Sequence, residues 1–270
     1  KNSETVALEG RATDPVNGDL SGDALEWSSD VDGTLGTGEA VSAQSLSPGP
    51  HTIALPATDE DGEVQSDSID FVVEEQGFDV RFRFSSDLSP AEKTTVRDAV
   101  AAWENAITGD LPPYFLPDEL VGEDAFDRKG VDDLAIAVEV TDIDGAGGTL
   151  AQATPVAARM SGGNFTTSTA GLIQIDQSDR SNSRLETIVE HEIGHVLGIG
   201  TLWDAAPSGE NSVAPVHRGS STTSAYEALS GSDAFLLEGV PLQLFGGAGT
   251  SLAHWSEENF DNELMTGNLN

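Results

Sequence analysis

The chain has 270 residues, 37% of them hydrophobic, so it is long enough for one large or two ordinary domains with packed cores. Its 47 acidic residues against 12 lysines and arginines give a formal net charge of −35, which disfavours nucleic acids and anionic lipids as partners. No apolar run is long enough to cross a bilayer, and the absence of cysteine excludes disulfides, thiolate metal sites and a catalytic cysteine.

Residues 1–75 contain short apolar runs separated by glycine, aspartate and proline, with almost no helical periodicity. These runs predict strands over Thr5–Leu8, Ala24–Trp27, His51–Ala57 and Ser68–Val73. Strands at this spacing predict a small antiparallel sandwich, with Trp27 in its core rather than in a binding site.

Turn and strand signatures recur in this segment, namely Ala12-Thr-Asp-Pro15, Leu25-Glu-Trp27, Leu46-Ser-Pro-Gly49 and Ala57-Thr-Asp-Glu-Asp-Gly62. On these signatures the segment resembles the immunoglobulin-like and PKD-type modules of secreted proteins, which implies an all-β immunoglobulin-like sandwich over residues 1–75. Four aspartates could bind Ca²⁺ through oxygen ligands, although turn residues that bond nearby amides are the favoured interpretation: Asp14, Asp19, Asp59 and Asp61.

The periodicity changes after Glu74-Glu-Gln-Gly77, a short polar linker. Residues 78–84 alternate as a half-buried strand, and Ser89-Pro-Ala-Glu92 predicts a helix start with a capping box and proline at the first position. Further strands are predicted over residues 134–140 and 171–175, and Ser220–Ser224 is predicted to be a loop. This order predicts a mixed α/β (α+β) domain over residues 78–270.

A histidine motif carries the chemistry of this second domain. Ser183-Arg-Leu-Glu186 predicts a capped helix that contains His191-Glu192-Ile193-Gly194-His195, an H-E-x-x-H motif. Residues four apart lie on one helix face about 6 Å apart, so both imidazoles can bind one Zn²⁺. Glu192, on the neighbouring edge, can act as general base on a metal-activated water. The alternative is a helix with two surface histidines.

Catalytic zinc usually needs a third protein ligand. In the compact pattern H-E-x-x-H-x-x-G-x-x-H the glycine falls at Gly198, but the last position is Thr201 instead of histidine. The third ligand must therefore come from elsewhere, and the candidates are the other histidines and two glutamates: His51, His217, His254, Glu257 and Glu258.

Two longer segments, Gly194–Trp203 and His254–Gly267, are similar to the leishmanolysin-like metzincins. In that family a long insertion precedes the third histidine and a Met-turn follows it. Leu150–Pro155 resembles the strand region beside the cleft, and Gly171–Asp176 resembles the stretch that leads to the active-site helix. The similarity covers roughly residues 78–270.

The resemblance implies a metzincin-type catalytic domain with three zinc ligands, His191, His195 and His254. It implies Glu192 as the base and Met265 as the Met-turn. It further implies a secreted or cell-surface endopeptidase that acts on proteins or peptides, and the absence of cysteine favours the prokaryotic branch. Because the family continues with a C-terminal helix, we expect residues 78–270 to be truncated at their C-terminus and the chain to be a fragment of a longer precursor.

A second function from another class remains open. The chain could be an adhesive or binding module on a metallopeptidase fold that no longer cleaves. Glu192 favours the enzyme, because a degenerate site would often have lost its base.

The acidic composition itself has two interpretations. At 1 M salt the Debye length falls to about 3 Å, which screens the self-repulsion of such a surface. We therefore expect a protein adapted to high salt, and an ordinary acidic secreted protein is the alternative.

Overall fold

A computed structural model describes residues 5–16, 18–44, 46–47, 49–73, 77–85, 87–122, 126–127, 129–161, 164–203, 216–217, 219–230, 239–246, 250–261 and 263–267. In this part of the chain, no helix combines the length and apolar character that a membrane span requires. Residues 74–76 of the predicted linker lie outside the described ranges.

The chain divides into two compact units. Unit 1 comprises Lys1–Arg81 and Ile107–Leu134, and unit 2 comprises Phe82–Ala106 and Ala135–Asn270. The predicted ranges, 1–75 and 78–270, differ from these units chiefly in residues 107–134, which group with the N-terminal segment. The assignment of the two ranges to an immunoglobulin-like and a metallopeptidase domain stays a prediction.

In its described residues, unit 1 is built from strands and two single-turn 3-10 helices, Gly22–Ala24 and Asp118–Leu120. The strands are β1 (Thr5–Glu9), β2 (Ala12–Asp14), β3 (Gly18–Leu20), β4 (Glu26–Ser29), β5 (Gly33–Thr37), β6 (Ala40–Gln44), β7 (Gly49–Thr58), β8 (Val64–Val73), β10 (Tyr114–Phe115) and β11 (Gly130–Val131). Four of them form an antiparallel sheet in the order β5-β4-β7-β8, and the others pair as β1-β6, β2-β3 and β10-β11.

The core of unit 1 contains Trp27, which is 5% exposed and packs with Leu8, Ala43, Leu46 and Ile53. Its Nε1 donates to the carbonyl of Gly38 at 2.9 Å, so the prediction of a core tryptophan is confirmed. The predicted strand Ala24–Trp27 begins later, at Glu26, because Ala24 ends a 3-10 helix.

Two of the four candidate calcium ligands are turn residues. Asp14 accepts a hydrogen bond from the amide of Val16, and Asp59 accepts from the amides of Asp61 and Glu63. Bonds from aspartate side chains to nearby backbone amides are what the turn interpretation predicted for these residues.

Unit 2 combines a sheet with helices. Its elements are β9 (Val80–Phe84, where the division between the units falls), α1 (Pro90–Ala106), β12 (Leu134–Thr141), β13 (Ala151–Ser161), β14 (Asn164–Asp176), α2 (Leu185–Leu197), β15 (Val216–His217), α3 (Ser220–Ser230), β16 (Val240–Pro241) and α4 (Glu257–Phe260). The sheet order is β13-β14-β12-β9, with β14 parallel to β12 and antiparallel to β13.

The helix starts test the capping predictions. At α1 the capping box is confirmed: the amide of Ser89 donates to Glu92 at 2.6 Å, and the amide of Glu92 donates to the Ser89 hydroxyl at 3.3 Å. At α2 it is wrong, because the N-cap is Arg184 and no side chain caps it. Asn182 forms a turn just before the helix, since its side-chain oxygen accepts the amide of Arg184 at 2.9 Å.

The predicted loop Ser220–Ser224 is also wrong, because these residues form the first turns of α3. The amide of Thr223 donates to the carbonyl of Gly219 at 2.8 Å, which begins the helical ladder. Good helix formers follow in residues 225–229 and extend the helix beyond the Ser/Thr run.

Candidate metal centre

Helix α2 presents the motif histidines from a buried position. Ile188, Val189, Ile193 and Val196 are at most 2% exposed, so the apolar flanks of the motif anchor the helix. The helix ends at Leu197 and is capped by Gly198, whose φ of 112° is left-handed and whose amide donates to the carbonyls of Gly194 and His195.

Three imidazoles meet at one point in unit 2. The Nε2 atom of His254 lies 3.0 Å from Nε2 of His191 and 3.0 Å from Nε2 of His195. All three residues are at most 8% exposed. The structure therefore brings together the three predicted ligands, although His254 follows His195 by 59 residues.

Each imidazole is fixed by a backbone carbonyl behind it. The Nδ1 atoms lie 2.6 Å from the oxygen of Leu264 for His191, 2.8 Å from that of Ile199 for His195, and 3.0 Å from that of Thr250 for His254. A carbonyl oxygen only accepts hydrogen bonds, so each Nδ1 carries the proton. In the neutral rings, the unprotonated Nε2 atoms face one another.

This arrangement suits a bound cation. Three lone pairs directed at one point repel one another unless a positive charge lies between them. Tetrahedral zinc with bonds of about 2.1 Å separates its nitrogen ligands by about 3.4 Å, close to the separations found here. Neutral imidazole nitrogen is a common zinc ligand, and the carbonyl partners orient the rings as outer-shell groups do in zinc sites. The residues therefore fit zinc.

Burial controls the protonation of these groups. It lowers the pKa of His191 to about 4 and that of His254 to about 4, and it lowers the pKa of His195 as well. The rings therefore stay neutral, as metal ligation requires. Burial acts in the opposite sense on Glu192, raising its pKa to about 8.

The segment around His254 is tied to the predicted Met-turn. The amide of Trp255 donates to the carbonyl of Met265 at 3.0 Å, and Leu264 supplies the oxygen behind His191. Met265 is 2% exposed and lies against α2, where a Cβ at Gly194 would overlap its sulfur. The glycine of the motif thus permits close approach of Met265 to the helix.

The other candidates for the third ligand lie elsewhere. His51 belongs to unit 1, where its ring bonds Ser29 and the carbonyl of Ser47. His217 lies in β15 and stacks on Trp203 with ring centroids 4.6 Å apart. Among the described residues, the group that could hold a metal comprises the three histidines and neither Glu257 nor Glu258.

The centre opens into a cleft of about 700 Å³. Glu192 lines it together with the three histidines. Residues 151–154 of β13, the end strand in the order of the sheet, line it as well.

Residues 132–204 match the family model described as Matrixin. This match supports a metzincin-type zinc metallopeptidase. No curated protein and no solved structure matches the chain.

The Matrixin match covers roughly a quarter of the chain and ends just after Trp203. It includes His191, Glu192 and His195 but stops before His254 and Met265. Thr201, where the compact metzincin pattern has its third histidine, instead donates from its hydroxyl to the carbonyl of His195 at 2.6 Å.

The sequence carries no signal for the groups that orient the three imidazoles. The three carbonyls belong to Ile199, Thr250 and Leu264, and a backbone oxygen leaves no signature in a side-chain pattern. The ring cluster of Trp203, His217 and Trp255 was also unforeseen as a cluster. The only sequence signal for Trp203 and Trp255 is that they lie within the two segments that resemble the leishmanolysin-like metzincins.

Proposed function

We propose that this chain is a leishmanolysin-like zinc endopeptidase with His191, His195 and His254 as ligands and Glu192 as general base. The observation that carries the proposal is the convergence of three neutral, carbonyl-oriented histidines beside a buried glutamate in an open cleft. The Matrixin match over residues 132–204 supports the same chemistry.

The chain's own residues account for the proton transfers of peptide hydrolysis. When bound, zinc supplies a Lewis acid that polarises the scissile carbonyl and acidifies the attacking water. Glu192 accepts a proton from that water as the oxygen of the water bonds to the carbonyl carbon. It then delivers the proton to the amine nitrogen as the C–N bond breaks. Glu192 lines the cleft together with the three histidines, which places its carboxylate beside the site of the attacking water.

The cleft suits an extended peptide. Strand β13 pairs with β14 on one side and ends the sheet order on the other. A substrate lying along residues 151–154 can pair with this edge through main-chain hydrogen bonds. Because such bonds do not depend on side chains, the arrangement supports cleavage within protein chains.

Further features support the finer assignment. The third ligand lies 59 residues beyond His195 rather than in the compact pattern, as in the leishmanolysin-like family. The strands of unit 1 and its Trp27 core support an immunoglobulin-like module. We place the enzyme outside the cell or on its surface, because the resemblance of that module is to secreted proteins.

The metal assignment is tested by elemental analysis. Purified protein should retain about one equivalent of zinc after dialysis, and His254→Ala should lose it, because two ligands hold zinc weakly. Glu258→Gln, which changes an exposed rival ligand, serves as the matched control and should retain the metal. Undiminished zinc in His254→Ala would reject that residue as a ligand.

The catalytic assignment is tested with an unfolded protein substrate at high salt. Glu192→Gln should keep zinc and lower kcat by about 100-fold or more, because the amide cannot accept the proton. Glu190→Gln makes the same change on the same helix outside the cleft and should cleave normally. Zinc-loaded wild-type protein that cleaves nothing would favour the adhesive module instead.

A further inference from the structure

The proposed third ligand, His254, is distant in sequence from the helix that carries the other two. His191 and His195 are fixed by α2, whereas His254 lies 59 residues beyond His195, within residues 250–256, which belong to no helix or named strand. Its ring is oriented by Thr250, which belongs to the same segment. Some contact must therefore hold that segment against the turn that follows α2.

Trp203 makes that contact on both sides of His254. Its indole Nε1 donates to the carbonyl of Leu252 at 3.1 Å, two residues before the ligand. Its ring packs on Trp255, the residue after the ligand, with centroids 4.4 Å apart. Leu252 has a φ of 65°, unusual for a residue with a side chain, so the carbonyl that Trp203 binds belongs to a constrained turn.

The turn that carries Trp203 also reaches both sides of the centre. Ile199 holds the ring of His195 through its carbonyl, and Thr201 bonds the backbone of His195. At Gly200, with a φ of 76°, a Cβ would overlap the carbonyl oxygen of Ala253, so the two backbones are in close contact. One short turn therefore contacts the second ligand directly, the backbone before the third ligand, and the ring of Trp255 after it.

We infer that Trp203 is a positioning residue that sets the place of His254 relative to α2. The inference rests on the proposed zinc site, and Trp203 acts through the carbonyl of Leu252 and the ring of Trp255 rather than on the metal. A hydrogen bond and a ring contact on either side of one ligand restrict both its translation and its rotation. Groups that orient ligands in this way typically change metal affinity by about 10- to 100-fold when altered.

The first test measures zinc affinity of the whole chain by competition with a chelator. Trp203→Phe removes the indole N–H and part of the ring, and should weaken zinc binding by about 10- to 100-fold. Trp27→Phe is the matched control, because its indole also donates to a backbone carbonyl but lies in the core of unit 1. That control should leave zinc affinity unchanged, whatever it does to stability.

A double-variant cycle separates positioning from general destabilisation. In a His254→Ala background, Trp203→Phe should cause little further loss of zinc affinity, since the ligand it positions is absent. An equal loss in both backgrounds would overturn the inference. If Trp203→Phe does not fold, Trp203→Tyr, which keeps a ring against Trp255, carries the same cycle.

The outcomes distinguish this inference from the proposed function. Unchanged affinity in Trp203→Phe together with a large loss in His254→Ala would overturn the positioning role and leave the zinc site in place. Unchanged affinity in His254→Ala would overturn the ligand assignment, and the positioning role with it.

Discussion

At the scale of single residues, the charge state of Glu192 has a consequence that does not depend on catalysis. Its side chain is 6% exposed, and burial raises its pKa to about 8. In metal-free protein the carboxyl therefore stays protonated to a higher pH than it would in an unfolded chain, where glutamate titrates near 4.3. The stability that the neutral, buried carboxyl contributes is fully present below the unfolded pKa. It is lost as the pH rises through the folded pKa, because the charged carboxylate is costly to bury.

We therefore predict a pH-dependent effect of Glu192→Gln on chelator-treated protein. The amide carries no charge to bury, so the melting temperature of the variant relative to wild type should rise steadily from about pH 5 to about pH 9. Thermal melts across that range measure the difference. Glu186→Gln, an exposed change of the same charge on the same helix, is the control. A constant difference between Glu192→Gln and wild type would mean that Glu192 is not desolvated.

The three clustered histidines show which part of a site a sequence can predict. His191 and His195 follow from helical spacing, and His254 follows from resemblance because nothing local marks it. Their orientation follows from neither, since it depends on three backbone carbonyls whose positions exist only after folding. No side-chain pattern marks Trp203 as a positioning residue either, because its hydrogen-bond partner is the backbone carbonyl of Leu252.

At the scale of elements, Asp176 ties the end of β14 to a loop of the cleft. The residue is 0% exposed, and one of its oxygens accepts the amides of Ile143, Asp144 and Gly145 at 2.8, 3.1 and 3.3 Å. The other accepts the amide of Ser178 at 2.6 Å. The bond from Ser178, reinforced by those from residues 143–145, lowers the pKa of Asp176 to about 2.

Asp176→Asn should therefore lower the melting temperature of unit 2 at neutral pH, because the asparagine side chain is uncharged and has a single oxygen, so it cannot accept the bonds made at both carboxylate oxygens. A folded pKa below the unfolded value gives stability that is present above about pH 4 and lost as the pH falls through about 2. Calorimetry should therefore show that the melting temperatures of the variant and the wild type converge as the pH falls from about 4 to about 2. Asp59→Asn removes a carboxylate that accepts two loop amides in unit 1 and is the matched control. A difference in melting temperature that is unchanged down to pH 2 would contradict a lowered pKa of Asp176.

A helix start or strand could be predicted from the sequence where the contacts that define it lie between neighbouring residues. The start of α1 was predictable because Ser89 and Glu92 bond each other within one turn. The start of α2 was not, because the same pattern at Ser183 is displaced by an Asn182 turn. The strand after the polar linker was predictable from alternation, whereas the order β13-β14-β12-β9 was not, since it depends on pairings between distant residues.

At the scale of the whole molecule, charge dominates the expected behaviour in solution. Even if every lysine and arginine were paired with an acid, the net charge of −35 would remain uncompensated. Individual exposed ion pairs contribute little to stability, so they cannot offset this repulsion. Folding brings the like charges closer together than they are in an extended chain, and dilute buffer screens them poorly.

The melting temperature should therefore rise between dilute buffer and molar NaCl, measured with zinc held at a fixed excess. Zinc must be fixed because metal binding is itself coupled to folding and would otherwise shift the transition. A parallel series in sucrose at low ionic strength is the control, since an excluded osmolyte favours burial without screening charge. If screening is the cause, most of the gain should occur as the Debye length falls from about 10 Å at 0.1 M to about 3 Å at 1 M salt. A melting temperature that stays flat or falls with NaCl would rule out adaptation to high salt and leave the metal centre unaffected, because its histidines are neutral and buried.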